Sequence, residues 1–534
     1  MDTKALRQKV LDLAIRGKLV PQDPNDEPAS VLLERIRQQK QQMVKDGKLK
    51  AKDIKNDTII FVGEDNLHYE KFANGSVKCI ENEIPFELPV GWAWARLGTI
   101  SEAIGDGDHQ PPPQTFSGIP FLVISNVSGG KLSFENTRFV SAEYFNQLPE
   151  ARKPQKGDLL FTVTGSYGIP ILVDTDDNFC FQRHIAIVRP CITSNRYLHV
   201  ILGSSYVKSV CDDKATGTAQ KTVGLATLRE LLIPVAPYNE QVRIYTQVQA
   251  AMSIVNSISS EKEDLLIIIE NTKSKILNLA IRGQLVPQDP ADEPASVLLE
   301  RIRAEKEELI KQGKLKRDKK ESVIFRGEDN SYYEKIGYEI HCINEEMPFE
   351  IPDTWEWMRL ENCCIKEIRR GKSPKYIEQS GTLVFAQKCN TKYAGIDIGL
   401  ALYLDENTLG KYTDDEYMQD GDVVINSTGT GTLGRVGFYR VADNRANLPI
   451  VPDSHVTVVR AHRNVHAFYL YAFMKANQAE LEKEGEGSTN QKELKPLTLK
   501  EILIPIPPFS EQKRIALAIT AAFSTISAIE KNLT

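Results

Sequence analysis

Residues Glu240 to Gly283, EQVRIYTQVQAAMSIVNSISSEKEDLLIIIENTKSKILNLAIRG, decide how this chain is organised. Positions in this stretch recur at alternating steps of four and three residues, which is the seam pattern of a coiled coil. The predicted seam consists of Ile244, Val248, Ala251, Val255, Ile258, Lys262, Leu265, Ile269, Thr272, Ile276 and Leu279. A helix with such a seam needs a partner helix.

Both ends of the chain repeat parts of this stretch and supply that partner. Gln512-Lys-Arg-Ile repeats Gln241-Val-Arg-Ile, and Lys4 to Arg37 copies Glu270 to Arg303. The C-terminal seam positions are Ile515, Ile519, Ala522, Ile526, Ile529 and Leu533. We therefore predict an antiparallel two-helix coiled-coil spacer within an internal circular pseudo-twofold repeat.

The repeat continues outside the helices. Short β signals at residues 59–72 match those at 323–336 and predict equivalent hairpins. All four tryptophans, Trp92, Trp94, Trp355 and Trp357, lie in two copies of one motif. We expect them to pack in the core of the strand that opens each domain, and nucleotide stacking is the alternative interpretation.

Between these copies, residues 98–192 and 361–465 diverge and keep only a skeleton, GDLLFTVTG at 157–165 and GDVVINSTG at 421–429. Val, Ile, Phe and Thr runs broken by Gly and Pro favour β structure. The predicted fold class is α+β, with two β-rich domains separated by the spacer. The predicted segments are 1–50 (N-terminal helical repeat), 51–239 (first β-rich domain), 240–318 (central helix and helical repeat), 319–510 (second β-rich domain) and 511–534 (C-terminal helix).

Composition narrows the functional classes. The chain has 534 residues, 41% of them hydrophobic and 26% charged, and no apolar run reaches the length of a membrane span. With no signal-peptide core at the N-terminus, we expect a cytoplasmic protein. The formal charge of −6 disfavours nucleic-acid binding unless basic residues cluster locally.

Motifs that suggest catalysis or metal binding lack the flanking sequence that such sites require. The glycines from Gly429 to Gly434 precede a strand signal, where a dinucleotide site needs a helix. His462 and His466 lack the pattern of a zinc site and are predicted to lie on a solvated helix face. The eight cysteines contain no Cys-x-x-Cys. We predict no catalytic residue, no metal site and no cofactor bound by this chain.

The second divergent segment contains a basic loop, Ile368-Arg-Arg-Gly-Lys-Ser-Pro-Lys-Tyr376, followed by clusters of amides and hydroxyls. Arg, Lys and hydroxyl groups position DNA phosphates, while bidentate Arg, Asn and Gln read base edges. The predicted DNA-binding residues of this half are Arg369, Arg370, Lys372, Ser373, Lys375, Lys388, Thr428, Thr430, Gln491 and Lys492. A solvated turn is the alternative for any single residue, so the prediction rests on the set.

The first half has a less basic counterpart to this loop. Because Asp accepts from cytosine and Gln pairs with adenine, an acidic loop is also compatible with base reading. The predicted DNA-binding residues of this half are Asp106, Asp108, His109, Gln110, Ser166, Tyr167, Gln220 and Lys221.

These motifs together resemble the specificity subunit of a type I restriction-modification system. The resemblance rests on the Trp motifs (Leu88 to Trp94 and Ile351 to Trp357), the Ile-Pro-x-x-Pro-x-x-x-Gln motifs at Ile233 and Ile504, and the Leu-Ala-Ile-Arg-Gly copies at Leu13 and Leu279. It spans essentially the whole chain. Asp353-Thr354, which replaces Val90-Gly91, is a modest departure.

The resemblance implies that residues 51–239 and 319–510 are two target-recognition domains of a non-catalytic DNA-binding subunit, which reads an asymmetric bipartite target in double-stranded DNA. It implies two methyltransferase subunits, which use S-adenosylmethionine, and restriction subunits, which use ATP and Mg. A non-catalytic coiled-coil scaffold that binds protein partners rather than DNA is the alternative.

Overall fold

The structure is a computed structural model that describes residues 2–107, 112–218, 220–313, 322–392, 395–429, 431–485 and 492–533. The chain divides into two compact units, Met1–Glu263 and Asp264–Thr534, and the boundary falls inside one 44-residue helix. Among the described residues, no helix is long and apolar enough to cross a membrane. Helices and sheets occur in both units, so the predicted α+β class is confirmed.

The helices of the first unit are α1 (Thr3–Ile15), α2 (Ala29–Lys45), α3 (Ala142–Gln147), α4 (Asn195–Leu202), α5 (Ser205–Lys214) and α6 (Leu225–Glu230), and α7 (Tyr238–Ile281) continues into the second unit. Its strands are β1 (Ile59–Val62), β2 (His68–Lys71), β3 (Val77–Cys79), β4 (Ala93–Arg96), β5 (Ser101–Asp106), β6 (Ile119–Leu122), β7 (Arg138–Val140), β8 (Leu159–Thr162), β9 (Pro170–Leu172), β10 (Cys180–Phe181), β11 (Ile185–Pro190) and β12 (Leu232–Val235).

The helices that follow in the second unit are α8 (Ala295–Lys311), α9 (Ala467–Ala476), α10 (Gln478–Lys483), α11 (Pro496–Lys500) and α12 (Phe509–Leu533). Its strands are β13 (Ser322–Arg326), β14 (Tyr332–Ile336), β15 (Glu339–Cys342), β16 (Glu356–Arg359), β17 (Arg369–Arg370), β18 (Tyr376–Ile377), β19 (Leu383–Phe385), β20 (Leu402–Leu404), β21 (Val423–Asn426), β22 (Val436–Phe438), β23 (Ile450–Pro452), β24 (Val456–Val459) and β25 (Leu503–Ile506).

The two units share one sheet topology. Each has a three-stranded antiparallel meander (β1-β2-β3 and β13-β14-β15), which confirms the predicted hairpins and adds a third strand. Each has a two-stranded ribbon (β12-β4 and β16-β25) and a four-stranded sheet (β5-β11-β8-β9 and β17-β24-β21-β22). A further sheet, β10-β6-β7 or β18-β20-β19-β23, covers a second core below the four-stranded sheet.

Within each unit, a terminal helix runs antiparallel to part of α7. In the first unit, Gln22, which follows α1, bonds to Glu240 at the start of α7. At the other end of α1, the Ala5 N–H and, to a smaller extent, the charge of Lys262 lower the pKa of Asp2. In the second unit, the side chains of Gln288 and Glu511 are 2.6 Å apart, while Lys273 lies 3.0 Å from Glu530.

The buried face of α7 follows the predicted seam except at Leu265 and Thr272, which are exposed. Buried seam residues are Ile244, Val248, Val255 and Ile269, and half-buried ones are Ala251, Ile258, Lys262, Ile276 and Leu279. Beyond Lys262 the shielded face is wider than the seam and also includes Leu266, Lys273, Leu277 and Ala280. A straight helix lags a strict heptad by about 20° per repeat, so positions that follow the seam residues also turn toward the buried side. In α12, Ile515 and Ile519 are buried, Ile526 is half-buried and Ile529 is exposed.

The duplicated Glu-Gln-x-Arg motif fastens each long helix to the Trp motif of its own unit. Trp92 Nε1 donates to Glu240 Oε2 at 3.0 Å, and Trp355 Nε1 donates to Glu511 Oε2 at the same distance. Burial raises the pKa of both carboxyl groups. All four tryptophans are buried, which confirms their predicted core role.

Candidate nucleic-acid interface

One end of the four-stranded sheet gathers most of the predicted site of the first unit. The carboxyl ends of β5 and β8 and the amino ends of β11 and β9 meet there, because the strands alternate in direction. The turn after β8 joins the 216–222 hairpin, since the Gly165 N–H donates to the Lys221 carbonyl at 3.1 Å. The Val163 N–H donates to the His184 carbonyl at 2.9 Å, which adds the turn before β11.

The predicted residues at this sheet end differ in their exposure and in their hydrogen bonding. Ser166, Gln220 and Lys221 are exposed. Tyr167 is half-buried, and its hydroxyl donates to Asp212 at 2.7 Å, which raises the pKa of the tyrosine. Asp106 ends β5 and is half-buried. The predicted residues Asp108, His109 and Gln110 lie outside the described residues.

The equivalent sheet end in the second unit gathers the predicted basic loop. The Ser427 N–H donates to the His455 carbonyl at 2.8 Å, and the Leu494 N–H donates to the Ser427 carbonyl at 2.9 Å. Asn426 Nδ2 donates to the Gln387 carbonyl at 3.1 Å, which places the segment containing Lys388 at the same edge. Ser373 is exposed and Thr428 is half-buried, whereas Thr430 and Gln491 lie outside the described residues.

Four of the predicted cations already have carboxylate partners. The pairs are Arg369 with Glu416 (3.2 Å), Lys372 with Glu416 (2.6 Å), Lys375 with Asp405 (2.9 Å) and Arg370 with Glu493. Any phosphate that these side chains bind has to compete with an internal carboxylate. Lys388 and Lys492 are exposed and, within the described part of the chain, have no such pair.

Strand register shows that the ends of the two four-stranded sheets are structurally equivalent. Asp106 faces Ala186 on β11, and Arg370 faces Thr457 on β24. The next residue is glycine in both units, where a Cβ would lie 2.0 Å from the Phe181 carbonyl oxygen or 2.1 Å from that of Pro452. Equivalent positions in the two units therefore have opposite charges.

A second pair of opposite charges lies before these positions. Four residues before Asp106 and Arg370 stand Glu102 and Lys366. Burial raises the pKa of Glu102 and lowers the pKa of Lys366 to about 8. The Lys366 ammonium donates to the Asp415 carbonyl at 2.7 Å. The two units thus differ in charge at both positions, although the cations of the second sheet end are paired with carboxylates.

The predicted set omits a histidine that occurs at this edge in both units. His455 Nδ1 lies 2.7 Å from Thr428 Oγ1, and His184 occupies the matching position of the first unit. Burial lowers the pKa of His184. A His retained immediately before both copies of the strand, inside segments that otherwise diverge, is the sequence signal that identifies it.

The structure also shows where the glycine and histidine motifs lie that were excluded as cofactor or metal sites. Gly429 to Gly434 is followed by β22, as predicted. The predicted solvated helix face for His462 and His466 is wrong, because His462 is buried 3.3 Å from Glu305 and His466 immediately precedes α9. No group of three or more His, Cys, Asp or Glu side chains that could hold a metal occurs among the described residues.

Comparisons with known proteins point to one family. Residues 352–534 match the family described as "Type I restriction modification DNA specificity domain". The EcoAI specificity subunit of Escherichia coli is 31% identical over 67% of this chain, and the match spans 62% of that relative's length. The EcoEI specificity subunit of Escherichia coli is 26% identical over 99% of this chain and 90% of its own length.

A solved structure shows a similar fold. It is titled as the basis of "complex assembly" and "conformational transition of the type I R-M system" and matches with a TM-score of 0.56 and 18% identity. The match covers 84% of this chain and 94% of that chain.

Proposed function

The chain belongs to the family of type I restriction-modification specificity subunits, and from this premise we propose that it reads an asymmetric bipartite DNA target, one half-site per unit. One observation carries the proposal. The two units have the same framework, but their equivalent sheet ends present different side chains, Asp106 in one and Arg370 in the other. Arg donates to guanine, while Asp accepts from cytosine, so unlike edges favour unlike half-sites.

In this proposal the chain has no catalytic role and binds no cofactor. It recruits two methyltransferase subunits that use S-adenosylmethionine, and in the full complex restriction subunits that use ATP and Mg. Its own residues supply recognition: the exposed Lys388 and Lys492 contact phosphates, and side chains at the sheet ends contact bases.

The long helices act as the spacer between the half-sites. Pairing of α1 and of α12 with α7, antiparallel in each case, supports a two-helix coiled-coil spacer. The brace from Glu240 to Trp92, and from Glu511 to Trp355, makes the direction of each recognition domain follow its helix.

Sequencing of methylated adenines in a host that carries the chain and its partners tests the proposal. We expect one bipartite motif with unlike halves. No methylated motif, or two identical halves, would contradict it.

A gel shift with the purified complex separates DNA recognition from the protein-scaffold alternative. Replacing both Lys388 and Lys492 with Ala should lower the slope of log affinity against log salt by about 2, since each phosphate contact contributes about 0.9. The control is Lys156→Ala, at the opposite end of the first unit's four-stranded sheet, which should leave the slope unchanged. Binding that is independent of salt would favour the scaffold.

A further inference from the structure

The outer face of each β meander is exposed and apolar. In the first unit, strand register aligns Phe61, Tyr69 and Cys79 in one row and Ile59, Lys71 and Val77 in the next. Phe61 is 41% exposed and Val77 is 52% exposed. The opposite face contains Glu70, which is buried and bonded to Arg96 at 2.7 Å. Around Glu70 the opposite face therefore packs inward, whereas the outer face leaves its apolar side chains uncovered.

The second unit presents the same face. Phe325, Tyr333 and Cys342 form one row, and Val323, Lys335 and Ile340 form the other. Phe325 is 37% exposed and Ile340 is 57% exposed. In each copy the two rings stack with centroids 5.9 Å apart.

The outer face is retained in both copies, together with the turn from Gly63 to Asn66 and the buried Glu70, whereas other exposed positions of the meander change. Phe, Tyr, Lys and Cys are identical in the two copies, and the remaining pairs exchange one aliphatic residue for another. Neighbouring positions differ, as for Leu67 and Ser331, His68 and Tyr332, or Lys78 and His341. Exposed apolar groups contribute little to the core, so a surface retained in this way indicates an interface.

We propose that the two outer faces are docking sites for two copies of one partner protein. Because each chain has two similar faces, docking of further copies of this chain would leave every added copy with an unoccupied face, and the assembly would not close. A different protein with one complementary surface would bind once to each face, two copies per chain, and would not polymerise. This inference rests on the proposed function, which makes that partner the modification subunit.

The chemistry of the face defines what the partner presents. An acidic turn lies beside each meander, Glu64-Asp65 or Glu328-Asp329, and the aspartate accepts the Tyr69 or Tyr333 hydroxyl at 2.7 or 2.9 Å. A partner surface with apolar side chains at its centre and a Lys or Arg opposite this turn is complementary. DNA is disfavoured, because the acidic turn repels phosphates.

The exposed thiols provide the test. Of the eight cysteines, Cys79 and Cys342 are the exposed ones, and both lie on the outer faces. Iodoacetamide should alkylate both in the free chain and react about tenfold more slowly with the purified complex, since reactivity follows exposure. Alkylation at the free-chain rate in a complex that methylates DNA would overturn the proposal, as would protection by DNA without the partner.

Charge substitutions separate the two faces of the same strand. Phe61→Lys together with Phe325→Lys should reduce the bound modification subunits from two to none in native mass spectrometry, and either change alone should leave one. Val62→Lys is the matched control, because Val62 is 55% exposed on the opposite face of β1. If the double variant still binds two copies, the docking site is refuted. A complex that binds two copies but methylates no motif would refute the proposed function and leave the docking site standing.

Discussion

Gly17 and Gly47 share a left-handed backbone but not their surroundings. Their φ angles are +63° and +72°, yet a Cβ on Gly17 would lie 2.5 Å from Pro89 Cγ, whereas a Cβ on Gly47 would meet nothing within 4 Å. Gly283 repeats the contact in the second unit, 2.5 Å from Pro352 Cγ. The glycine of each Leu-Ala-Ile-Arg-Gly copy therefore lets the turn after a helix pack on the Trp motif.

We predict that Gly17→Ala destabilises the first unit more than Gly47→Ala. Both substitutions place a Cβ in the left-handed region, which costs about 1 kcal/mol, and overpacking against Pro89 adds about 1–3 kcal/mol at Gly17 alone. Urea denaturation followed by tryptophan fluorescence measures both, because Trp92 and Trp94 lie in this unit. Equal losses would mean that the proline contact has no energetic role.

Neighbouring isoleucines on α7 provide a comparison at the scale of the element. Ile269 is 7% exposed, whereas Ile267 and Ile268 are each 59% exposed. We predict that Ile269→Ala costs about 2–4 kcal/mol of stability, because it removes a buried side chain and leaves a cavity. Ile268→Ala should stay within about 0.5 kcal/mol. Thermal unfolding of both variants checks the ranking, and a larger loss at Ile268 would contradict the buried face.

Elements that repeat in the sequence were predictable, and contacts between distant segments were not. Duplication identified the meanders and the buried tryptophans, because the same residue pattern occurs in each copy. The carboxylates that pair with Arg369 and Arg370 come from Glu416 and Glu493, and only the folded chain brings them together. The predicted seam position Leu265 is exposed although Ile269 and Ile276 of the same seam are shielded, and the heptad pattern alone does not distinguish them.

For the whole molecule, the proposed spacer makes helix length a measure of half-site separation. Helix α7 has 44 residues, and seven more would lengthen a helix by about 10.5 Å. One base pair rises about 3.4 Å, so this length corresponds to about three base pairs. The unit boundary between Glu263 and Asp264 is the natural point for an insertion in α7.

We predict that one heptad inserted there, with a matching heptad after Leu533, lengthens the unread gap of the target by about three base pairs and leaves both half-sites unchanged. Seven residues keep the buried face nearly in phase, whereas five residues at the same points rotate it by about 140°. The five-residue variant is the control and should lose modification. Methylated adenines in a host that carries each variant give the gap directly. An unchanged gap in the heptad variant would show that the helices do not set the spacing, and an altered half-site would show that the recognition domains depend on it.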